Sequence, residues 1–98
     1  MKVVLEFTYD ADIISIPDEK VVHDLKKYQN KFDEWLYDKN IDHPYWEYSN
    51  GKKEYVAYRG DAFVFWLNEF VFKDSEKKAE LLESETDNYD KTLPSLWF

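Results

Sequence analysis

The sequence has no cysteine and only two glycines among its 98 residues. Without cysteine the chain can form neither a disulfide nor a thiolate metal site, and nothing requires an oxidising compartment. Phosphate-binding loops and dinucleotide fingerprints need several glycines for close backbone approach, whereas Gly51 and Gly60 are both expected in turns. We therefore expect no nucleotide site and no cofactor.

Long apolar runs are also absent. No stretch approaches the roughly 18 apolar residues that a membrane span requires. The N-terminal segment MKVVLEFTYD is interrupted by Glu6 and Asp10, which makes it too short and too acidic for a signal peptide. These features predict a cytoplasmic protein that does not use a membrane as a partner.

Basic residues are scarce relative to acidic ones. Thirteen lysines and arginines face 21 aspartates and glutamates, which gives a net charge of −8. A negative field repels nucleic-acid phosphates and attracts basic protein surfaces, although many proteins are acidic simply for solubility. If charge reflects function, it favours a protein partner with a basic surface and disfavours nucleic acid.

Residues typical of catalysis are few and poorly placed. His23 falls on the polar side of a predicted helix, and His43 lies in a loop beside Asp42, where we expect it to stabilise the loop. The five serines all fall in predicted caps, turns or the C-terminal segment, so no serine nucleophile is expected. Two histidines without cysteine do not make a zinc site.

Three carboxylates could approach one another at the end of the first predicted strand. Glu6, Asp10 and Asp12 could hold a hard cation, but solvated acids in a turn are the favoured interpretation. The sequence therefore predicts no catalytic residue and no metal ligand, and a protein that is not an enzyme.

The first half of the chain predicts a strand followed by a helix. Residues 3–9 alternate apolar and polar side chains, as a half-buried strand does. Ile13, Ile14 and Ile16 either form a second short strand or pack against the next helix. Residues 15–40 carry apolar side chains on a single helical arc, with Asp18 in the first turn. The core side of this helix is Val21, Val22, Leu25, Tyr28, Phe32, Trp35 and Leu36.

A hairpin is predicted over residues 45–58, because Asn50-Gly51 is a strong signal for a two-residue type I′ turn. This turn pairs Ser49 with Lys52 and Trp46 with Tyr55. We assign to the core the less charged face, which carries Trp46, Tyr48, Tyr55 and Ala57. The rings of the hairpin beside Lys52, Lys53 and Arg59 also suggest an alternative function, single-stranded nucleic-acid binding.

The segment DAFVFWLNEFVF, residues 61–72, is more apolar than a one-sided helix requires. Projected as an α-helix, it has a broad core face and leaves Phe65 and Phe72 on the opposite side with Asn68 and Glu69. We therefore expect these four residues to contact the C-terminal segment, a second copy or a different protein.

The C-terminal part is predicted as a short helical extension up to residue 83 and a flexible acidic tail over residues 84–98. The segment ESETDNYDKTLPSLWF resembles the partner-recruiting tails of single-stranded-DNA-binding proteins over about sixteen residues. This resemblance implies only a flexible tether that presents an aromatic anchor. Leu96, Trp97 and Phe98 would bind a partner or dock on their own domain.

Together these patterns predict one α+β domain over residues 1–83, in the order β–α–β–β–α, with two helices on one face of a three-stranded antiparallel sheet. The predicted function is a small, non-catalytic module that binds a basic protein, as an inhibitor, immunity-type protein, nucleic-acid mimic or other accessory protein, bacterial or phage in composition. A homodimer of unknown role is the second alternative. The candidate partner-binding residues are Tyr45, Tyr58, Phe65, Asn68, Glu69, Phe72, Leu96, Trp97 and Phe98.

Overall fold

The computed structural model describes residues 1–98 and contains six strands and three α-helices. In chain order these are β1 (Lys2–Glu6), β2 (Ala11–Ser15), α1 (Glu19–His23), α2 (Leu25–Leu36), β3 (Trp46–Ser49), β4 (Lys52–Val56), α3 (Gly60–Trp66), β5 (Glu80–Thr86) and β6 (Ser95–Trp97). A single π-helical turn, Leu67–Val71, continues α3. The α+β class is confirmed, but the strand number and order are not those predicted.

The main sheet has four strands in the order β5-β2-β1-β6, and the hairpin β3-β4 forms a separate two-stranded sheet. The predicted three-stranded sheet is therefore wrong. The run Ile13–Ile14 forms part of β2, one of the two structures that the sequence leaves open. Because β2 is central, Ala11 to Ile14 are buried on both faces, which hides the period-two pattern from the sequence.

The first predicted helix exists but is broken in two at Asp24, whose φ and ψ are −117° and 30°. Asp18 caps α1 by accepting a hydrogen bond from the Lys20 N–H at 2.9 Å. The predicted core side is confirmed: five of its residues are buried, and Tyr28 and Trp35 are partly buried against them. Phe32 of α2 is fully buried at the centre of the aromatic core. The centroid of its ring lies 5.3 Å from that of the Phe63 ring.

The hairpin turn is also confirmed, with φ of 53° at Asn50 and 76° at Gly51. Its predicted core face is wrong beyond Trp46, because Tyr48 and Tyr55 are exposed and Trp46 is opposite Val56. An irregularity between Glu47 and Tyr48 adds one residue to β4 relative to β3 and so reverses the alternation of faces.

The C-terminal third departs most from prediction. Where a helical extension was expected, β5 pairs antiparallel with β2, and where a flexible tail was expected, β6 pairs parallel with β1. Leu96 is buried and aligned with Leu5. One of the two alternatives, docking of this segment on its own domain, is confirmed, because residues 95–97 pair with β1 and add a strand at the edge of the sheet.

Candidate functional site

The π-helical turn decides which rings of α3 face outward. The Phe72 N–H donates to the Leu67 carbonyl oxygen at 2.7 Å, five residues earlier, so residues after the turn are rotated by about one position. Phe72 consequently lies in the core at 5% exposure, whereas Phe70 points outward at 57%. The prediction that Phe72 lies on the outer side is wrong, and Phe70 takes its place beside Phe65, which is 37% exposed.

Asn68 lies in this turn and makes two hydrogen bonds within the chain. Its side-chain amide donates to the Ala79 carbonyl oxygen at 3.0 Å and accepts from the Ala79 N–H at 2.8 Å. These bonds fix the chain one residue before β5 begins. Both polar groups of the Asn68 amide are therefore engaged within the chain, which gives Asn68 a positioning role and leaves its predicted partner-binding role without support.

Four rings from three parts of the chain form a continuous surface, which we call the aromatic face: Trp35, Tyr45, Phe65 and Phe70. The Trp35 ring stacks on Phe65 at 6.1 Å and meets Phe70 edge-on at 6.1 Å between centroids. Tyr45 meets Phe65 edge-on at 5.9 Å. Mutual ring contacts hold these side chains in place, so the aromatic face is ordered before any partner arrives.

His43 supports the aromatic face from behind. Its ring lies between those of Trp35, at 4.5 Å, and Trp46, at 5.3 Å. Nδ1 accepts from the Tyr45 N–H at 3.1 Å, so Nε2 carries the proton that it shares with the Leu36 carbonyl oxygen at 2.7 Å. Both nitrogens are used, and Asp42 pairs with Lys53 instead of His43. The predicted loop-stabilising role of His43 is confirmed.

Acidic groups border the aromatic face. Burial, followed by the nearby Asp61 carboxylate, raises the pKa of Tyr45 to about 12, because both disfavour a phenolate. Asp61 lies one helical turn before Phe65, and Glu69 lies one residue before Phe70; both carboxylates are exposed. The predicted residues Tyr45, Phe65 and Glu69 are thus found at or beside one surface.

The remaining predicted rings are mostly internal. Tyr58 and Phe98 each contact Phe32 and each other edge-on. Burial, together with the neighbouring Tyr37 hydroxyl, raises the pKa of Tyr58 well above its ordinary value. Trp97 alone among the last three residues is largely exposed, at 61%, and it lies away from the aromatic face on β6.

A buried carboxylate lies beneath a neighbouring cleft. Asp12 is fully buried and accepts from Arg59 Nη2 at 2.7 Å, the Gly60 N–H at 2.7 Å and the Glu85 N–H at 2.9 Å. Burial alone would raise the pKa of Asp12, but Arg59 and the two N–H groups outweigh it and hold that pKa below its ordinary value. The prediction of solvated acids in this turn is wrong for Asp12.

Sequence reasoning missed this cluster although two signals were present. Asp12 stands inside an apolar strand, where an unpaired carboxylate is too costly to be tolerated. Gly60 allows the close approach, since a Cβ there would lie 2.8 Å from Asp12 Oδ2. Arg59 also bonds Asp10 at 2.6 Å and lies 4.6 Å from the centre of the Phe7 ring.

The cleft above this cluster has a volume of about 780 Å³ and separates the end of β4 from β5. Its walls come from Asp12, residues 56–59, Asp61, Leu81, Ser84 and Glu85. Asp61 belongs both to this cleft and to the border of the aromatic face, so the two features are continuous on the molecular surface.

The hairpin offers little to a nucleic-acid backbone. Of its three predicted cations, Arg59 pairs with two aspartates, and Lys53 pairs with Asp42 and also donates to two backbone carbonyls. Trp46 is buried. Only Lys52 is left to meet phosphate, which gives no support to the alternative of single-strand binding.

The structure contains no group of three or more metal-binding side chains. Glu6, one of the three carboxylates considered as cation ligands, accepts a hydrogen bond from the Tyr89 hydroxyl at 3.1 Å. None of the helices has the length and apolar character that crossing a membrane requires. Comparisons with family models, with curated proteins and with solved structures find no match for this chain.

Proposed function

We propose that this chain is a non-catalytic protein-binding module whose aromatic face docks on a basic surface of another protein. The observation that carries the proposal is the exposure of Phe65 and Phe70 beside Asp61 and Glu69 on a rigid cluster of rings. An inhibitor or adaptor that occupies a basic site of its target fits this arrangement.

The composition of the aromatic face supports binding to a protein. Interface hot spots are rich in aromatic side chains, and burying an exposed phenylalanine contributes about 1.5–3 kcal/mol. Because Trp35 and His43 already restrict Phe65 and its neighbours, little side-chain entropy is lost on docking. The face therefore combines apolar area with a low ordering cost.

Charge supports a basic partner rather than a second copy. Each molecule carries a net charge of −8, so two copies repel each other, whereas a basic surface is attracted and steered. A homodimer built on the aromatic face is the competing function, and it differs in its dependence on salt, since salt screens repulsion between copies.

The test is affinity capture from cells of the native host with three baits: wild type, Phe65→Ser/Phe70→Ser and the control Tyr48→Ser/Tyr55→Ser. The control removes two exposed rings of the hairpin. We expect wild type and control to retain one basic protein in stoichiometric amount. The face variant should bind it at least about tenfold more weakly in titration calorimetry with the purified pair.

Circular dichroism checks that all three baits are folded. Two outcomes contradict the proposal: a dimer mass in light scattering that only the face variant converts to a monomer, or a partner whose binding is lost only in the hairpin variant. The first supports self-association, and the second assigns binding to the hairpin.

A further inference from the structure

The outer edge of β5 has no neighbouring strand. In the main sheet β5 pairs only with β2. Residues 80–86 make no further backbone–backbone hydrogen bond in the turns and loops of the chain. Apart from the Glu85 N–H, which donates to Asp12, this edge strand of seven residues presents free N–H and C=O groups to any extended chain that approaches it.

The edge is poorly suited to pairing with another copy of itself. β5 contains Glu80, Glu83 and Glu85 and no basic residue, so two paired copies would bring six glutamates together along one ladder. Like charges across a ladder are destabilising. Register shifts in the pairing with β2 also bend the strand, which is how proteins discourage indiscriminate edge pairing.

The same charges suit a basic strand. Three carboxylates and one guanidinium line the cleft beside β5, a net charge of −2, and the guanidinium of Arg59 is already neutralised by Asp10 and Asp12. Asp61 and Glu85 are left to meet lysine or arginine side chains from an incoming segment.

The cleft also supplies an apolar contact at one position. Leu81 lines it with Val56 and the ring of Tyr58, and Leu81 remains 39% exposed. An extended segment beside β5 points alternate side chains toward the cleft, so an apolar residue there would cover Leu81. Leu82 is similarly exposed, at 42%, but is not a lining residue.

We propose that β5 is a strand-addition site for a basic extended segment of a partner protein, which pairs with the free edge and places one apolar side chain in the adjoining cleft. This inference deepens the proposed function and rests on it only for the basic character of the partner. The aromatic face and the β5 edge then form two parts of one binding surface joined at Asp61.

The test selects binders from a displayed library of random peptides of about nine residues, long enough to span β5. We expect the enriched peptides to combine lysine or arginine with apolar residues at alternate positions. Their addition should shift the backbone NMR signals of residues 80–86 in a saturable manner, without increasing the mass of the protein beyond a one-to-one complex.

Two matched pairs of variants locate the site. Leu81→Ser should weaken binding about tenfold, whereas Leu82→Ser should leave it nearly unchanged. Glu85→Lys, which reverses a charge that lines the cleft, should weaken it by a similar factor, whereas Glu34→Lys, an exposed change of equal charge on α2, should have little effect.

Selection of no common motif, selection of acidic peptides, or equal effects within each matched pair would overturn the strand-addition site. A shift of the β5 signals that accompanies a dimer mass would assign the edge to a second copy. These outcomes leave the proposed function standing if Phe65→Ser/Phe70→Ser still weakens binding to the captured partner, so the two proposals fail separately.

Discussion

Three donors converge on the carboxylate of Asp12, which joins β2 to the start of α3 and to β5. Because the carboxylate is fully buried, each donor offsets part of the cost of removing its charge from water. Arg59 extends the network to Asp10 on the preceding turn. A single residue therefore connects three segments that are far apart in sequence.

Asp12→Asn should destabilise the protein by about 3 kcal/mol at pH 7, because a neutral amide cannot accept from all three donors as the carboxylate does and leaves Arg59 with Asp10 as its one carboxylate partner. The folded pKa of Asp12 lies below its ordinary value of 3.8, so its contribution is present above that value and is lost as the pH falls through the folded pKa. The free energy of unfolding measured in urea at pH 7 and at pH 3 checks both statements.

Wild type should lose more stability between these two pH values than Asp12→Asn does. Asp33 acts with the opposite sign, because burial raises its pKa and its protonation favours the folded state at low pH. Equal pH slopes for wild type and Asp12→Asn would contradict the assignment to Asp12.

At the scale of elements, the π-helical turn couples α3 to β5. Inserting one residue into the helical path turns Phe72 inward and Phe70 outward, and Asn68 in that turn holds Ala79 by two hydrogen bonds. The register of β5 against β2 and the exposure of the aromatic face therefore depend on the same five residues.

Asn68→Ala should destabilise the protein by about 2 kcal/mol, since it leaves the N–H and C=O of Ala79 without their partners. Hydrogen exchange of the β5 amides should accelerate more than that of β1. Glu69→Ala is the control, because Glu69 is exposed in the same turn and makes no side-chain hydrogen bond. Equal protection of β5 in both variants would show that Asn68 does not hold the strand.

At the scale of the whole molecule, the protein measures 43 × 34 × 20 Å along its principal axes. The shortest axis accommodates two layers of secondary structure, since packed layers are spaced by about 10 Å. Only 24 of the 98 residues are buried, and the aromatic share of 19% exceeds what so thin a core can cover. Exposed rings such as Phe70 follow from this geometry.

The last strand closes this small core. Leu96→Ala should cost about 3 kcal/mol, as expected for a buried leucine, because its side chain lies in the main cluster of buried residues. Trp97→Ala, one residue away and largely exposed, should cost less than about 1 kcal/mol. Thermal unfolding of the two variants distinguishes a docked strand from a flexible tail, for which both changes would be nearly neutral.

The sequence by itself determined the features that repeat locally. The 3.6-residue period of residues 19–36 defined the core side of α1 and α2, and Asn50-Gly51 defined the hairpin turn, because each depends on neighbours within a few residues. Part of the candidate site was predicted for the same reason. Phe65 precedes the π-helical turn, so the α-helical projection of the sequence correctly placed its ring on the outer side.

Only the tertiary structure decided which segments meet. β5 and β6 form by pairing with β2 and β1, about 70 to 90 residues distant, and their own sequences carry no strong alternation to announce it. The burial of Asp12, the exchange of Phe72 for Phe70 and the β5 edge beside the cleft all follow from these distant contacts. Strand pairing and ion pairing are fixed by the energy of the assembled core, which no local window of sequence contains.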